Sequence, residues 1–481
     1  MYNNRICNKK KNYSKLNAVD FLYLLSEGKI TVVDYISACI KNIQKKEKEV
    51  KAWKYFNHKS LLNDAEELDL FLQNWKDKNK KFSSYYKEEK RDKILEYKFK
   101  LPNRIFGIPI GIKDIFNTSN MPTEFGSSIY KSHMPGNDAR VVTNLIREGG
   151  IIAGKTNTSE FAVHDPALTT NPYNYNLSPG SSSSGSAAAV SSQMVPLAIS
   201  TQTAASTIRP ASYCGIIGFK PTFGVLPRTG VLKTTDTLDT IGIMARSIAD
   251  IRLAFDVMRV RGPNYPIVYK NYTKTSVAKK KKFKLAKLQS YTDQNVSTIG
   301  KEQFNNLLLK LKESDKFSIF DINLESCFNE SHIIHDMIYN KSLSYYFKKE
   351  WEQDKSKFSS ILSEMIKKGN RISNEQYFNL LKNQSKLSIR LNTIMKQYDA
   401  IICLSAADDA PKIKTIIDPK DNSLIFTLYH LPSISLPLLI GSKGLPLGIQ
   451  LACKKFDDYN MMHIAEEIFK IVPSPKYKMK N

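Results

Sequence analysis

Residues 178–190 read SPGSSSSGSAAAV, with four consecutive serines between two glycines. The reading of this tract decides whether a flexible tether interrupts the fold. Composition by itself favours a tether, because Ser/Gly tracts ordinarily stay flexible. The flanks argue the other way. A linker continues in small polar residues, whereas this one runs into AAAVSSQMVPLAIS (187–200), which reads as a helix start followed by a short buried strand. The tract is therefore expected to be a loop packed inside a domain.

Outward from it, residues 15–75 carry apolar positions at helical spacing in LNAVDFLYLL and VVDYISACI and read as helical. Residues 76–100 form a charged, aromatic-spiked insertion. RIFGIPIGIKDIF (104–116) alternates and is rich in Ile, which predicts a strand or hairpin feeding a central sheet. NDARVVTNLIREGG follows as an amphipathic helix ending at a glycine stop, and IIAGKTN as the next strand. The segment 176–246 is dense in Gly, Ser, Thr and Pro with little charge, the composition of a buried site made of backbone. Beyond a basic hinge (262–284) come a strand in FKLAKL, mixed helices to about 397, and a strand in YDAIICLS. ISLPLLIGSKGLPLGIQLACK reads as two strands joined by a Gly-rich turn, before a closing helix over 457–471. Alternating helices and strands imply an α/β layer structure, and no internal repeat is found.

Composition narrows the function classes. A hydrophobic share of 42% with 10% aromatics supplies a sizeable core. The formal net charge of +25 invites a nucleic-acid partner. Its excess sits in KNIQKKEKEVK (41–51), KDKNKKFSSYYKEEKRDK (76–93) and KKKKFK (279–284). Interspersed Glu, Asn and Tyr make these read as solvated faces and insertions, so nucleic acid is not the expected partner. Nor is a membrane. No stretch reaches the ~20 apolar residues of a span, and the longest, LPSISLPLLIG (431–441), holds two prolines. Six scattered cysteines without CxxC pairing suit reduced thiols, and MYNNRICNKKKNYSK lacks the apolar core of a secretion signal, so a cytoplasmic protein is expected. The histidines include no HExxH, and His332 with His335 lacks a third zinc ligand nearby.

GGIIAGKT (149–156) fits the phosphate-loop pattern GxxxxGK[ST]. That mechanism needs a strand before the glycines and a helix after them. Here the glycines end a helix and Ile151 and Ile152 favour strand, so the match reads as accidental and Lys155 as structural. Three other residues stand out. Lys113 lies among isoleucines in GIPIGIKDIFNT, Ser182 lies in the serine tract, and Ser206 follows small residues in ISTQTAASTIRPASYCGIIGFKPTFG and opens a short helix. Taken singly they read as a partly exposed lysine, a turn residue and a helix N-cap.

Their joint placement reverses those readings. The blocks GIPIGIKD, AGKTNTSEFA (153–162), PGSSSSGSAAAV (179–190), STIRPASYCGIIGFKPTFG (206–224), TLDTIGIMARS (237–247) and LPSISLP…GLPLGIQL (431–451) span most of the chain. In that order they resemble the amidase signature family. The resemblance implies a mixed β-sheet covered by helices on both faces in one large α/β domain over 1–481. Its parts would be an N-terminal helical region (1–75), a charged insertion (76–103), a catalytic core (104–260), a variable helical region (261–400) and C-terminal strands with a helix (401–481). It also implies no metal or organic cofactor, and amide hydrolysis or transfer by a Ser–Ser–Lys triad. Ser206 would be the nucleophile, Ser182 the bridging serine preceded by a cis peptide bond, and Lys113 the base.

The chemistry needs these residue types. A hydroxyl is a weak nucleophile that requires an adjacent base, and a lysine serves only when burial keeps it neutral. Backbone N–H groups of Thr203, Ala204, Ala205 and Ser206 would form the oxyanion hole, with Asp239 and Arg246 bracing the site. His164 and Cys214 read as structural, since the mechanism has no role for them. Departures from the family are Ala204 and Ala205 where two glycines are usual, which would be strained at positive φ, and Ser181 and Ser184 where glycine is common. Relative to the glutamine-hydrolysing component of glutamyl-tRNA amidotransferase, Gln202 replaces an Asp and Arg209 falls one position late. The first expectation is therefore a stand-alone amidase acting on a small-molecule amide, compatible with a homodimer. The second is that glutamine-hydrolysing component, with amidotransferase partner subunits. The third is a catalytically inert amidase-fold binding protein with a basic surface.

Overall fold

The computed structural model describes residues 12–80, 100–163, 167–260, 272, 280–413 and 419–478. Its strands are β1 (Trp53–Phe56), β2 (Pro109–Lys113), β3 (Ile151–Thr156), β4 (Leu197–Gln202), β5 (Ile217–Lys220), β6 (Thr240–Ala245), β7 (Phe283–Gln289), β8 (Phe317–Asn323), β9 (Ala400–Leu404), β10 (Ser433–Ile440) and β11 (Pro446–Ala452). The helices of the first half are α1 (Ala18–Ser26), α2 (Val32–Val50), α3 (His58–Lys80), α4 (Arg140–Arg147), α5 (Ser184–Ser191), α6 (Ile208–Tyr213) and α7 (Ile248–Met258). Those of the second half are α8 (Thr298–Glu313), α9 (Ser331–Tyr346), α10 (Lys348–Gln353), α11 (Ser360–Asn370), α12 (Asn374–Ile394), α13 (Ser423–Leu428) and α14 (Asp458–Ile471).

All eleven strands join one mixed sheet in the order β1-β3-β2-β4-β6-β5-β10-β11-β9-β7-β8. The segments β3, β2 and β4 run parallel, and β9, β7 and β8 run parallel at the other end. Between them β6, β5, β10 and β11 alternate in direction. Every residue of β2, β3, β4, β5, β6, β9 and β11 is buried. Successive side chains of a strand point to opposite faces, so strands buried throughout must be covered on both. This is an α/β fold. Pro437 sits inside β10, where the pairing with β11 shifts register between Leu436 and Leu439, as a residue without an N–H requires. Exposed residues fall on the edge strands β1 and β8, on β7 next to that edge, and at Ile440, the last residue of β10.

The serine tract is packed. Ser182, Ser183 and Ser184 are buried, and all eight residues of α5 are buried. Its hydroxyls attach the loop and helix to the sheet: Ser183 Oγ donates to Thr201 O at 3.2 Å, Ser186 Oγ donates to Ile199 O at 3.2 Å, and Ser186 Oγ lies 2.7 Å from Thr156 Oγ1.

Two local expectations are corrected, and one that offered a strand or a hairpin is narrowed to the strand. Residues 15–75 are not helical throughout: α2 ends at Lys51 in the left-handed region, and the Glu47 carboxylate accepts from Ala52 and Trp53 N–H, which starts the aromatic strand β1. RIFGIPIGIKDIF yields the single strand β2 and no hairpin, since both partners of β2 are distant parallel strands. The stretch expected as mixed helices contains β8, whose FSIFDIN joins β7 in parallel after the crossover helix α8. The charged insertion lies largely outside the described residues, with α3 running to Lys80. Most of the basic hinge lies outside them as well.

Gly185 marks how closely α5 meets its neighbours. A Cβ there would stand 2.3 Å from Ala52 O and 2.4 Å from Asn157 N, both main-chain atoms that cannot move aside cheaply. Overpacking of this kind costs about 1–3 kcal/mol or more. Gly185→Ala is expected to lower the unfolding free energy by that amount, read as a lower urea midpoint at an unchanged slope, and an unshifted midpoint would show that α5 is loosely held.

Candidate active site

Lys113 ends β2 with its side chain wholly buried. Its Nζ lies 2.8 Å from Ser182 Oγ and 2.9 Å from Thr201 Oγ1. No ion pair of the described residues includes it. Burial pushes its pKa down to about 7, opposed only by the field of Asp239. The amine can therefore be neutral near physiological pH, and its neighbours are hydroxyls, which can hand it a proton.

Lys155 on the adjacent strand is also buried but differently served. Its Nζ donates to Phe116 O at 2.9 Å, Pro122 O at 3.2 Å and Thr123 Oγ1 at 2.6 Å, and stands 3.1 Å from Asp114 Oδ1. Burial lowers its pKa to about 8, and Asp114 works against that. All three ammonium protons are engaged. No helix follows β3 at the position a phosphate loop needs, only a short 3-10 turn at Glu160–Ala162. Lys155 is a structural cation, as its sequence context suggested.

The peptide bond between Ser181 and Ser182 is cis. Gly180, at φ +88°, presses against Pro210 of α6, and Ser183 is bonded to Thr201 of β4, so the tract lies across the turn that joins β4 to α6. Ser206 sits in that turn, half-buried. Among the described residues its Oγ makes no hydrogen bond to Ser182; the structure joins Lys113 to Ser182 directly and places Ser206 on the facing turn.

The main chain of that turn is held by its carbonyls. Thr203 O accepts from His335 Nε2 at 2.9 Å, Ala204 O accepts from Thr427 Oγ1 at 2.8 Å, and Ala205 O accepts from Arg209 N at 2.9 Å. In a trans peptide the next residue's N–H points opposite its carbonyl. The N–H groups of Ala204, Ala205 and Ser206 are thereby aimed away from α9, α13 and α6, and no hydrogen bond of the described residues uses them. Neither Ala204 nor Ala205 has positive φ, so alanine carries no strain where the family pattern has glycine. The same holds for Ser181 and Ser184.

Asp239 anchors the start of the turn. Its Oδ1 accepts from Thr203 Oγ1 at 2.8 Å and Thr234 Oγ1 at 2.7 Å, and its Oδ2 accepts from the N–H groups of Thr234 and Thr235 at 2.8 and 3.0 Å. Gln202 caps α6, its Oε1 accepting from Thr207 N and Ile208 N at 2.9 and 3.0 Å, while Arg209 pairs with Asp421 at 2.7 Å. Arg246 bonds elsewhere: it donates to Val190 O, Val195 O and Leu16 O, the first of these near the C-terminal end of α5. Cys214 is buried, and burial pushes its thiol well above its ordinary pKa. His164 lies outside the described residues.

Sequence reasoning missed Thr201, His335 and Thr427. Thr201 carried a signal, since it lies next to the end of β4, the strand that pairs beside β2. The other two carried none, reaching the turn from 132 and 223 residues away.

Comparison with known proteins gives a consistent likeness. The sequence model of the family described as Amidase matches residues 34–462. The A component of the glutamyl-tRNA(Gln) amidotransferase of Clostridium botulinum (strain Alaska E43 / Type E3) is 27% identical, over 94% of this chain and 96% of its own. A peptide amidase of Stenotrophomonas maltophilia superposes with a TM-score of 0.79 at 20% identity, over 98% of this chain and 99% of its own. The corresponding amidotransferase component of Thermotoga maritima superposes with a TM-score of 0.76 at 24% identity, over 98% and 99%. No helix of the described residues is long and apolar enough to cross a membrane.

Lys113 and Lys155 are expected to separate in stability measurements. Below pH 7 the amine of Lys113 is protonated in both the folded and unfolded chain, and folding carries the full cost of burying its charge. Above pH 7 the folded state releases that proton while the unfolded chain keeps it to about pH 10.4, so the cost shrinks by at most about 1.4 kcal/mol per pH unit. Lys113→Met therefore stabilises most below pH 7, and its advantage fades toward pH 10; an advantage constant with pH would contradict the assignment. Lys155→Met leaves Asp114 buried without its cation and is expected to cost about 3–5 kcal/mol in denaturant titrations near neutral pH.

Proposed function

The chain belongs to the amidase family, and from that premise we propose that it is a stand-alone amide hydrolase. In this reading it cleaves the carbon–nitrogen bond of a small-molecule amide through an acyl-enzyme on Ser206. The observation that carries it is the buried Lys113 amine, 2.8 Å from Ser182 Oγ and without a carboxylate partner among the described residues. An amine held this way is a base, where an ion-paired one would be a brace.

The steps follow from the residues present. As substrate seats, Ser206 Oγ closes on Ser182, in the way that loose catalytic hydrogen bonds of unliganded sites commonly tighten. Ser206 Oγ attacks the amide carbon while its proton passes to Ser182, whose own proton goes to Lys113 Nζ. The carbonyl electrons move to oxygen, which the N–H groups of Ala204, Ala205 and Ser206, together with that of Thr203, receive; such donors are commonly worth ~3 kcal/mol each. Collapse breaks the C–N bond, and the leaving amine takes the proton back through Ser182. Water repeats the sequence on the ester, releasing the carboxylate. Asp239 holds the turn through Thr203 Oγ1 at 2.8 Å, and its charge limits how far the lysine pKa falls.

A second reading is favoured by one finding, the 27% identity over 94% of this chain with the amidotransferase component of Clostridium botulinum. In that case glutamine would be the ammonia source and partner subunits would be required. Ammonia release from a panel of aliphatic, aromatic and peptide amides, with glutamine included, tests both. Turnover by the purified chain, lost in Ser206→Ala, supports the stand-alone hydrolase. Glutamine turnover that appears only with the other amidotransferase components supports the second reading. No turnover with either, in a folded protein, returns the chain to a binding role.

For the amide that turns over, kcat/KM is expected to rise with pH along a single ionisation near 7, because only the deprotonated Lys113 accepts a proton. Activity falling as pH rises through 7 would contradict a lysine base. Ser206→Ala and Lys113→Met should each lower kcat by at least about a thousandfold.

A further inference from the structure

His332 and His335 find no use in the hydrolysis described above, yet α9 carries one of them into the catalytic turn. His335 is buried, and its Nε2 lies 2.9 Å from Thr203 O. A carbonyl only accepts, so Nε2 carries a hydrogen and donates it. Among the described residues Nδ1 has no hydrogen-bond partner, its nearest charge being Asp336 Oδ1 at 3.5 Å. The ring thus has one strong contact, and that contact is with the main chain three residues before Ser206. His332, one turn earlier, is turned elsewhere, toward the hydroxyl of Tyr291.

The peptide unit that His335 grips is the one whose N–H belongs to Ala204. With its carbonyl fixed toward α9, that N–H is fixed toward the opposite side, where the developing oxyanion would sit. The neighbouring peptide unit meets α13 in a similar way: Thr427 Oγ1 accepts from Gln202 Nε2 at 2.9 Å and directs its single proton between Ala204 O at 2.8 Å and Ser423 O of its own helix at 3.0 Å. Two helices from distant parts of the chain therefore each hold one carbonyl of the turn.

We infer that His335 is a positioning residue for amide hydrolysis, its Nε2–H holding the Thr203 carbonyl so that the Ala204 N–H faces the oxyanion. The inference rests on the proposed role of this turn, and it assigns to α9 a part in transition-state stabilisation. Misaiming one such donor loses a share of the roughly hundredfold to thousandfold that removing a donor costs.

A fluorophosphonate ester tests this without knowledge of the natural amide. Ser206 Oγ bonds to phosphorus, fluoride leaves, the serine proton passes through Ser182 to Lys113, and the phosphoryl oxygen gathers charge in the same cradle. Saturation labelling, followed by intact mass, gives the inactivation constant kinact and the binding constant KI for wild type, His335→Met and His335→Gln. The methionine fills the space without a donor, whereas the glutamine amide restores an N–H at the position of Nε2. The expected result is a kinact lowered about tenfold or more in His335→Met, recovered to within about threefold in His335→Gln, with KI unchanged in both. A wild-type kinact in folded His335→Met, or a glutamine variant as slow as the methionine one, overturns the inference. Should the methionine variant not fold, Thr427→Val reads the second tether, and a wild-type kinact there overturns the tethering account. Failure of the wild type to label, or equal labelling of Ser206→Ala, would instead remove the nucleophile itself and with it the proposed function.

Discussion

A lysine amine buried among hydroxyls, without a carboxylate partner among the described residues, is the constraint on which the site is built. Among the described residues three lysine amines are wholly buried, and only the acceptors around them tell them apart. Lys220 is driven down to about 7 by burial, as Lys113 is, but its Nζ donates to the main-chain carbonyls of Leu431 and Pro221. A carbonyl has no proton to give, so that amine can only tie β5 to the segment ahead of β10. Lys155 spends its protons on carbonyls, a hydroxyl and Asp114. Of the three, Lys113 alone faces hydroxyls only. A low pKa thus marks all three, and the chemistry of the neighbours selects one.

The fold supplies that environment by construction. Lys113 closes the central parallel strand of three, so its stem is covered from both sides, and β4 brings Thr201 beside it. The turn after β4 then has to face back over the strand ends. It does so because Asp239, Gln202, His335 and Thr427 take up its hydroxyls, its N–H groups at the start of α6 and its carbonyls. What remains unclaimed in the turn, among the described residues, is a row of N–H groups. The serine tract completes the wall: its bonds to β3 and β4 fix the backbone so that one of its hydroxyls, that of Ser182, meets the amine.

Much of this is legible in the residues. The flanks of SSSS point to a packed loop, the isoleucines around Lys113 to a buried strand, and the broken strand–loop–helix order disarms the phosphate-loop match around Lys155. Short aromatic or alternating stretches inside helix-rich regions, WKYF and FSIFDIN, are not legible, because their strand character comes from partners far along the chain. Ala204 and Ala205 show another limit of one dimension: whether a position needs glycine depends on φ, and neither does. His335 and Thr427 illustrate the same point for the site. A histidine one turn from another on a helix suggests metal or core, and only folding shows that it meets a carbonyl 132 residues away.

The central claim is that Lys113 gives up its proton near pH 7, and heteronuclear NMR of the protein with 13C-labelled lysine side chains tests it most directly. The Cε resonance missing from Lys113→Met identifies the residue, and its shift against pH reports the proton on Nζ. A midpoint near 7 is the predicted result. A resonance that stays that of an ammonium to above about pH 10, the ordinary range of lysine, would contradict the account.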